Sequence, residues 1–287
     1  MNSFEQTRCP VCDRDDFTRW AGSKTQANYV CCRACGTLYA NPRSPRNERH
    51  AWINDTFTTS KMWAEAMEAR RPALALESAF IQQHITQGRI LDIGCSTGLF
   101  FEFFPKSNWQ YSGIELAPAT AAFAQQTYHA DVRVGMLREA NFPNGYFDLV
   151  TLIDTICYIE DPFQDLCEAR RILKDNGFLA IELPGQAYIM QRIRGLLPLL
   201  LNGHWTHVDP SSSYIFWPSP GSLALLLKRC GFEILDWHVI PSPKRASLGN
   251  FTSNSYFSIL SFLSARSRSF LTWAPKYICI ARAGRIQ

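Results

Sequence analysis

Three groups of residues carry types and spacings that could do chemistry. The first is cysteine. Five of the ten cysteines fall in the first 35 residues, and four of them form two C-x-x-C pairs, Cys9-Pro-Val-Cys12 and Cys32-Arg-Ala-Cys35, 19 residues apart. Each pair can close a tight knuckle, and four thiolates make a closed tetrahedral site that suits structural zinc, Zn2+, with no open position for catalysis. Cys31 could replace Cys32 only by lengthening the second knuckle to C-x3-C, so Cys9, Cys12, Cys32 and Cys35 are the expected ligands. Metal binding would then carry much of the module's stability. The second group is Gly94-Cys-Ser96-Thr-Gly98, which directly follows the apolar run Ile90-Leu91-Asp92-Ile93. A strand that runs through a glycine turn into an apolar helix-like segment lets backbone N–H groups approach a ligand closely. The turn fits a nucleotide-type cofactor loop and also a G-x-S-x-G nucleophile elbow. The third group lies between Gly185 and Pro218 and holds His204, Trp205, His207, Asp209, Tyr214 and Trp217. A histidine there could remove a proton near neutral pH.

The elements that must position these groups follow an alternating pattern. Apolar runs at Ile90–Ile93, Tyr111–Glu115, Val132–Val134, Phe147–Ile153, Phe178–Leu183, Phe232–Ile240 and Lys276–Ala281 read as seven strands. Helical stretches fall between several of them, the pattern of an α/β domain with a mostly parallel sheet. Pro118 sits where a first helical turn accepts it, and Asp161-Pro162-Phe163-Gln164 reads as an N-cap, a proline at the first position and a capping-box partner. That helix is expected to run to Lys174 and stop at Asp175-Asn176-Gly177. A further helix starts at Ser219-Pro220 and ends at Cys230-Gly231. Ahead of the first strand, a helical pattern covers Trp63 to Ile85, with Pro72 inside it. Asn41-Pro-Arg-Ser-Pro45 reads as a linker or extended turn.

This order discriminates between the two readings of the glycine turn. A nucleophile elbow normally follows several strands and an oxyanion-loop glycine cluster, whereas only the cysteine module and a helix precede Ser96. Glu115 ends the second strand, 21 residues after Gly94, where a carboxylate can accept hydrogen bonds from a ribose diol. A pyrophosphate would need a third bare glycine, and Leu99, Phe100 and Phe101 stand there instead. A nucleoside with a short amino-acid tail has no such need.

Bulk composition narrows the class. With 46% hydrophobic residues in 287, the chain can bury a large core. Its formal charge of +4 is unevenly placed. From Trp237 onward there is no Asp or Glu, but there are seven Lys and Arg, so the rest of the chain has 22 basic against 25 acidic residues. That basic end could face an anionic partner, whether a nucleic acid or a membrane surface, or only solvent. No run reaches the roughly 18 apolar residues of a membrane span, and the N-terminus lacks the apolar region of a signal peptide, so no transmembrane segment and a cytoplasmic location are expected. The long run Ser242–Pro275 reads as a helical accessory over the sheet edge. Its Phe, Leu and Arg content permits weak membrane-surface association.

Taken together, the motifs resemble those of class I S-adenosylmethionine-dependent methyltransferases over roughly Gly88–Arg282. Leu91-Asp-Ile-Gly-Cys-Ser-Thr-Gly98 resembles the family's first motif, although the family more often has Gly where Ser96 stands. The resemblance implies a Rossmann-like seven-stranded sheet in the order 3-2-1-4-5-7-6, with the seventh strand antiparallel, preceded by a small N-terminal zinc-ribbon module. It implies S-adenosyl-L-methionine as cofactor. Asp92, Gly94, Ser96 and Gly98 would form the loop, and Glu115 would bind the ribose. Met136 and Leu137 would border adenine, and Asp154 and Thr155 would stand beside the methionine end. Cys9–Cys12 with Cys32–Pro42 resembles the cysteine module of a subgroup whose members act on sugars, glycans or specialised metabolites. Many relatives carry Glu-His after the fourth strand, where this chain has Cys157-Tyr158. Transfer to oxygen of a small-molecule or glycan acceptor is the expected activity, with His204, His207 and Tyr158 as candidate bases. RNA methylation through a zinc module that grips RNA, or a catalytically silent binding protein, are the other readings. The expected organisation is a zinc-ribbon module at 1–45, a linker and leading helix at 46–87, and a methyltransferase domain at 88–287 with insertions at about 185–218 and 242–275.

Overall fold

The computed structural model describes residues 4–22, 28–57, 61–186, 214–241 and 258–284. Seven strands form one sheet: β4 (Gly88–Ile93), β5 (Trp109–Glu115), β6 (Asp131–Val134), β7 (Phe147–Ile153), β8 (Leu173–Leu183), β10 (Phe232–Ile240) and β11 (Lys276–Ala283). Their order is β6-β5-β4-β7-β8-β11-β10. The first five are parallel, while β11 runs antiparallel to both β8 and β10. Counted along the chain, this is the expected order 3-2-1-4-5-7-6. Parallel strands covered on both faces read as continuous apolar runs, and Leu149, Val150, Leu152, Leu179, Ala180 and Ile181 are all buried.

The helices start and stop for local reasons. In α3 (Pro118–Tyr128) and α4 (Pro162–Ile172), proline occupies the first turn, where its missing N–H costs nothing. The Asp161 side chain accepts from Gln164 N at 3.1 Å. The helix α5 (Pro220–Arg229) is capped in the same way by Ser219, which accepts from Ser222 N at 3.1 Å. Two details differ from the sequence reading. The helix α4 ends at Ile172, not at Lys174, because Leu173 is buried and already pairs with Phe147 as the first residue of β8. The apolar segment after Gly98 is a single short 3-10 helix, Leu99–Phe103. Leu99, Phe100 and Phe101 all point inward there, and so tight a turn is rarely extended. Ahead of the sheet lie two helices, α1 (Arg46–Phe57) and α2 (Lys61–Gln82), the latter with Pro72 inside it.

The N-terminal residues build a second sheet from β1 (Phe17–Gly22), β2 (Asn28–Cys32) and β3 (Leu38–Ala40). Its fourth strand, β9 (Phe216–Trp217), comes from the far side of the chain and pairs antiparallel with β3. One buried cluster runs through both sheets, from Val11, Tyr29 and Leu38 to Phe216, Leu152 and Leu183. Trp217 is central to this junction, with its ring 4.9 Å from Tyr29 and 5.8 Å from Tyr214. Replacing a buried aromatic of this size by alanine costs about 3–5 kcal/mol. Trp217→Ala should therefore lower unfolding free energy by about 3–5 kcal/mol in urea titrations; a change below about 1 kcal/mol would show that the junction contributes little.

Candidate functional site

The carboxyl ends of β4, β5 and β7 open on one cavity. Its lining includes Asp92, Gly94, Ser96, Glu115, Met136, Leu137, Asp154, Thr155 and Tyr158. Parallel sheets place ligands at these strand ends, where the strand order reverses about the first strand.

The turn after β4 is held in a backbone conformation that favours glycine. Gly94, Ser96 and Gly98 have φ of +74°, +49° and +78°. A Cβ on Gly94 would lie 2.6 Å from Thr155 Oγ1, so a side chain is excluded there. Ser96 is the unusual member, since an L-residue rarely adopts this conformation. Its N–H donates to Glu115 Oε2 at 2.9 Å. Glu115 Oε1 accepts from Ala117 N, also at 2.9 Å. The carboxylate is thus fixed by two backbone donors and retains lone pairs for a diol. Burial pushes its pKa up, and the backbone donors pull it partly back. Ser96 Oγ is buried and has no hydrogen-bond partner among the described residues. An orphan hydroxyl beside an anchored carboxylate fits a polar ligand. Gly98 belongs to the turn but not to the cavity wall; a Cβ there would meet the Tyr128 ring at 2.7 Å.

Asp92 lies deeper. It is buried, accepts from Thr151 Oγ1 at 2.6 Å, and is pushed up to about 7 by burial. Past β6, Gly135, Met136 and Leu137 form a wall of the cavity, and Met136 N donates to Glu139 Oε2 at 3.1 Å. The helices α1 and α2 complete the lining with Arg49, His50, Ile53, Arg70 and Leu74. Leu74 belongs to the apolar helical pattern between Trp63 and Ile85, but the sequence marks none of the five as a site residue. Arg70 has no distinctive local signal, because Lys61, Glu65, Glu68, Arg71 and Glu77 share its helix. Arg49 is buried and pairs with Glu160 at 2.6 Å, which ties α1 to the loop after β7.

At the other end of the cavity, Asp154 follows β7 with φ +57°. Lys276 Nζ lies 2.9 Å from Asp154 Oδ2 and 2.9 Å from Glu182 Oε1. Arg70 sits 3.5 Å from Asp154 and 3.7 Å from Glu182. Burial pushes Asp154 up, but Lys276 and Arg70 outweigh it and hold the carboxyl below its ordinary value. Tyr214 Oη donates to Asp154 Oδ1 at 3.3 Å, and the Tyr214 ring packs 4.5 Å from Tyr158. Tyr158 thus lines the cavity beside a second phenol, and burial drives the Tyr214 pKa far up, so Tyr214 stays a donor. His204 and His207 lie outside the described residues.

The four cysteines converge. Their Sγ atoms all lie within 4.8 Å of one another, so together they could hold one metal ion. Cys31 is not in the group, as the spacing predicts. Each knuckle is closed by its own backbone: Asp13 N donates to Cys9 O, and Gly36 N donates to Cys32 O, both at 2.9 Å.

Residues 62–236 match the family model described as a methyltransferase domain. The chain belongs to that family. It is 26% identical over 248 residues to a ubiquinone biosynthesis O-methyltransferase of Xanthomonas euvesicatoria pv. vesicatoria, covering 77% of this chain and 98% of the relative. With the same-named protein of Xanthomonas campestris pv. campestris it shares 26% over 151 residues, which span 48% of this chain and 63% of that one. Among solved structures, a SAM-dependent methyltransferase from Thermotoga maritima superposes with a TM-score of 0.53 at 16% identity, over 83% of this chain and 99% of that one. A chain of the complex between the Haloferax volcanii Trm112 methyltransferase activator and a methyltransferase gives 0.57 at 15% identity, over 84% and 100%. At these identities the structural likeness establishes the fold.

The charge cluster makes a pH prediction. Glu77 is fully buried, its oxygens have no hydrogen-bond partner among the described residues, and burial next to Glu182 pushes it up to about 8. A raised carboxyl binds its proton more tightly in the folded than in the unfolded chain, so stability falls as pH rises from about 4.5 to about 8. Glu77→Gln, which keeps the shape without the charge, should flatten this fall when Tm is measured across that range. An unchanged slope would show that Glu77 is not the group responsible.

Proposed function

We propose that the protein transfers the methyl group of S-adenosylmethionine to an oxygen of a small-molecule, sugar or glycan acceptor, and that the four cysteines hold a structural zinc. The observation that carries the cofactor assignment is the Glu115 carboxylate, anchored by two backbone amides beside the orphan Ser96 hydroxyl. Glu115 would accept from the ribose diol, and Ser96 would face the same part of the ligand. Met136 and Leu137 would border adenine. Asp92, Asp154 and Thr155 would flank the amino-acid tail, with Asp154 ionised by Lys276 and Arg70. When bound, the cofactor supplies a methyl carbon on a positively charged sulfur. The chain's part is alignment and exclusion of water. An oxygen acceptor must also lose a proton, and Tyr158, His204 and His207 remain the candidates to take it. The relatives named as O-methyltransferases support oxygen as the acceptor atom.

A small acceptor is favoured over RNA because two of the module's exposed cations are already paired with carboxylates. Arg8 pairs with Asp13 at 3.1 Å and Arg33 with Asp16 at 3.4 Å. None of the ten cysteines is in a disulfide, which suits a reducing, cytoplasmic setting. No helix among the described residues is long and apolar enough to cross a membrane. We read the organisation as a zinc module, leading helices and a methyltransferase domain.

Labelled S-adenosylmethionine screened against phenols, sugars, nucleotide sugars and RNA tests the acceptor class; label appearing only in RNA would overturn it. Glu115→Ala should weaken S-adenosylmethionine binding about 10- to 100-fold by calorimetry, the range for hydrogen bonds to a charged group. Unchanged affinity would remove Glu115 from the site.

One surface supports a further partner class. Ile259, Phe262, Phe270 and Trp273 are exposed along residues 259–273, which also carry Arg266 and Arg268, with the Arg266 guanidinium 3.7 Å over the Phe262 ring. Apolar and cationic groups on one acid-free segment suit an anionic membrane surface. The protein should co-sediment with phosphatidylglycerol vesicles but not with phosphatidylcholine vesicles, and Arg266→Glu with Arg268→Glu should abolish this. Equal recovery with both lipids would exclude the charge-based reading.

A further inference from the structure

The four-cysteine module and the cavity are joined by a short series of contacts. Tyr29 of β2 donates from its hydroxyl to the Tyr214 carbonyl at 3.0 Å. Next along the chain, Ile215 O accepts from Ala40 N of β3 at 2.9 Å, and Ile215 N donates to Cys157 O at 2.8 Å, one residue before Tyr158. Residues 216–217 then pair with β3 as its fourth strand. On the other side, Gln186 Nε2 donates to Gly36 O at 2.7 Å, directly after Cys35, and to Trp217 O at 3.2 Å. Gln186 and Tyr214, the two residues that bound positions 187–213, are therefore both fastened to the module.

Tyr214 in turn reaches Asp154, which lines the cavity, in a specific way. Lys276 and Arg70 both contact Oδ2 of Asp154, whereas Tyr214 contacts Oδ1. The orientation of the carboxylate is the balance between two cations on one oxygen and one hydroxyl on the other. Without that hydroxyl, only the cations on Oδ2 would set the rotation of the carboxylate.

We propose that the metal-loaded cysteine module positions the cofactor's amino-acid tail: it holds Tyr214, and Tyr214 fixes the rotation of the Asp154 carboxylate that lines the cavity. This rests on the cofactor assignment made above. Tyr214 is a positioning residue here, and the zinc acts at a distance through β3 and Tyr29.

The test compares two ligands that share a nucleoside. S-adenosylhomocysteine carries the amino-acid tail; 5′-methylthioadenosine does not. Calorimetry on the zinc-loaded full chain should show Tyr214→Phe and Tyr29→Phe each weakening S-adenosylhomocysteine by about 2- to 10-fold, the value of one neutral hydrogen bond. Affinity for 5′-methylthioadenosine and zinc content should stay unchanged in both. Zinc extraction should reproduce the Tyr214→Phe pattern, and zinc addition should reverse it. Tyr29→Phe keeps the test open where extraction unfolds the module, because it cuts the link and leaves the metal in place. Equal loss for both ligands, or no loss for either, overturns the inference. If the wild-type protein binds neither ligand, the cofactor assignment falls, and the inference with it.

Discussion

The turn after β4 stores backbone strain, and the Glu115 carboxylate holds it in place. Gly94 and Gly98 adopt the left-handed region without penalty, whereas Ser96 there is unfavourable on its own. The Ser96 N–H that this conformation turns inward meets Glu115, which also fixes the start of α3 through Ala117. One side chain therefore sets the shape of the loop, the entry angle of a helix and the ligand-facing edge of β5. Removing it would leave a buried N–H without a partner, which costs about 1–3 kcal/mol. The glycine at position 94 is demanded by the same close packing, since Thr155 fills the space a Cβ would need.

Charge burial is the second organising constraint. Lys276 and Arg70 come from opposite ends of the chain and meet Asp154, Glu182 and Glu77 at the carboxyl ends of β7 and β8. Two cations against three carboxyls balance when one carboxyl keeps its proton, and Glu77, buried without a hydrogen-bond partner among the described residues, is pushed up to about 8. Breaking a buried pair generally costs more than the pair contributes. The antiparallel strand β11 is thereby locked in place at its first residue, next to the cavity.

Much of this was legible in the sequence, for identifiable reasons. Strands of a covered parallel sheet are unbroken apolar runs, so all seven could be placed. Helix starts at Pro118, Pro162 and Pro220 are encoded within a few residues. The four cysteines meet because each knuckle is a local structure. What was not legible depends on distant partners. Arg49, His50 and Arg70 enter the cavity only because α1 and α2 pack over it. Strand β9 is two residues long and exists only because β3 offers it an edge. The end of α4 shifted because pairing of Leu173 with Phe147 prevails over the helical signal of the preceding turn.

The pairing of Leu38 with Trp217 also bears on how the chain is made. These partners are 179 positions apart (217 − 38). During synthesis from the N-terminus, the cysteine module emerges early, yet the outer edge of β3 stays open until the ribosome has passed residue 217. Unpaired edges invite association with other chains. The zinc proposed for the two knuckles, once bound, would keep the nascent module folded while that edge waits for its strand. The late arrival of β9 then closes the edge and joins the cysteine module to the segment that leads into α5.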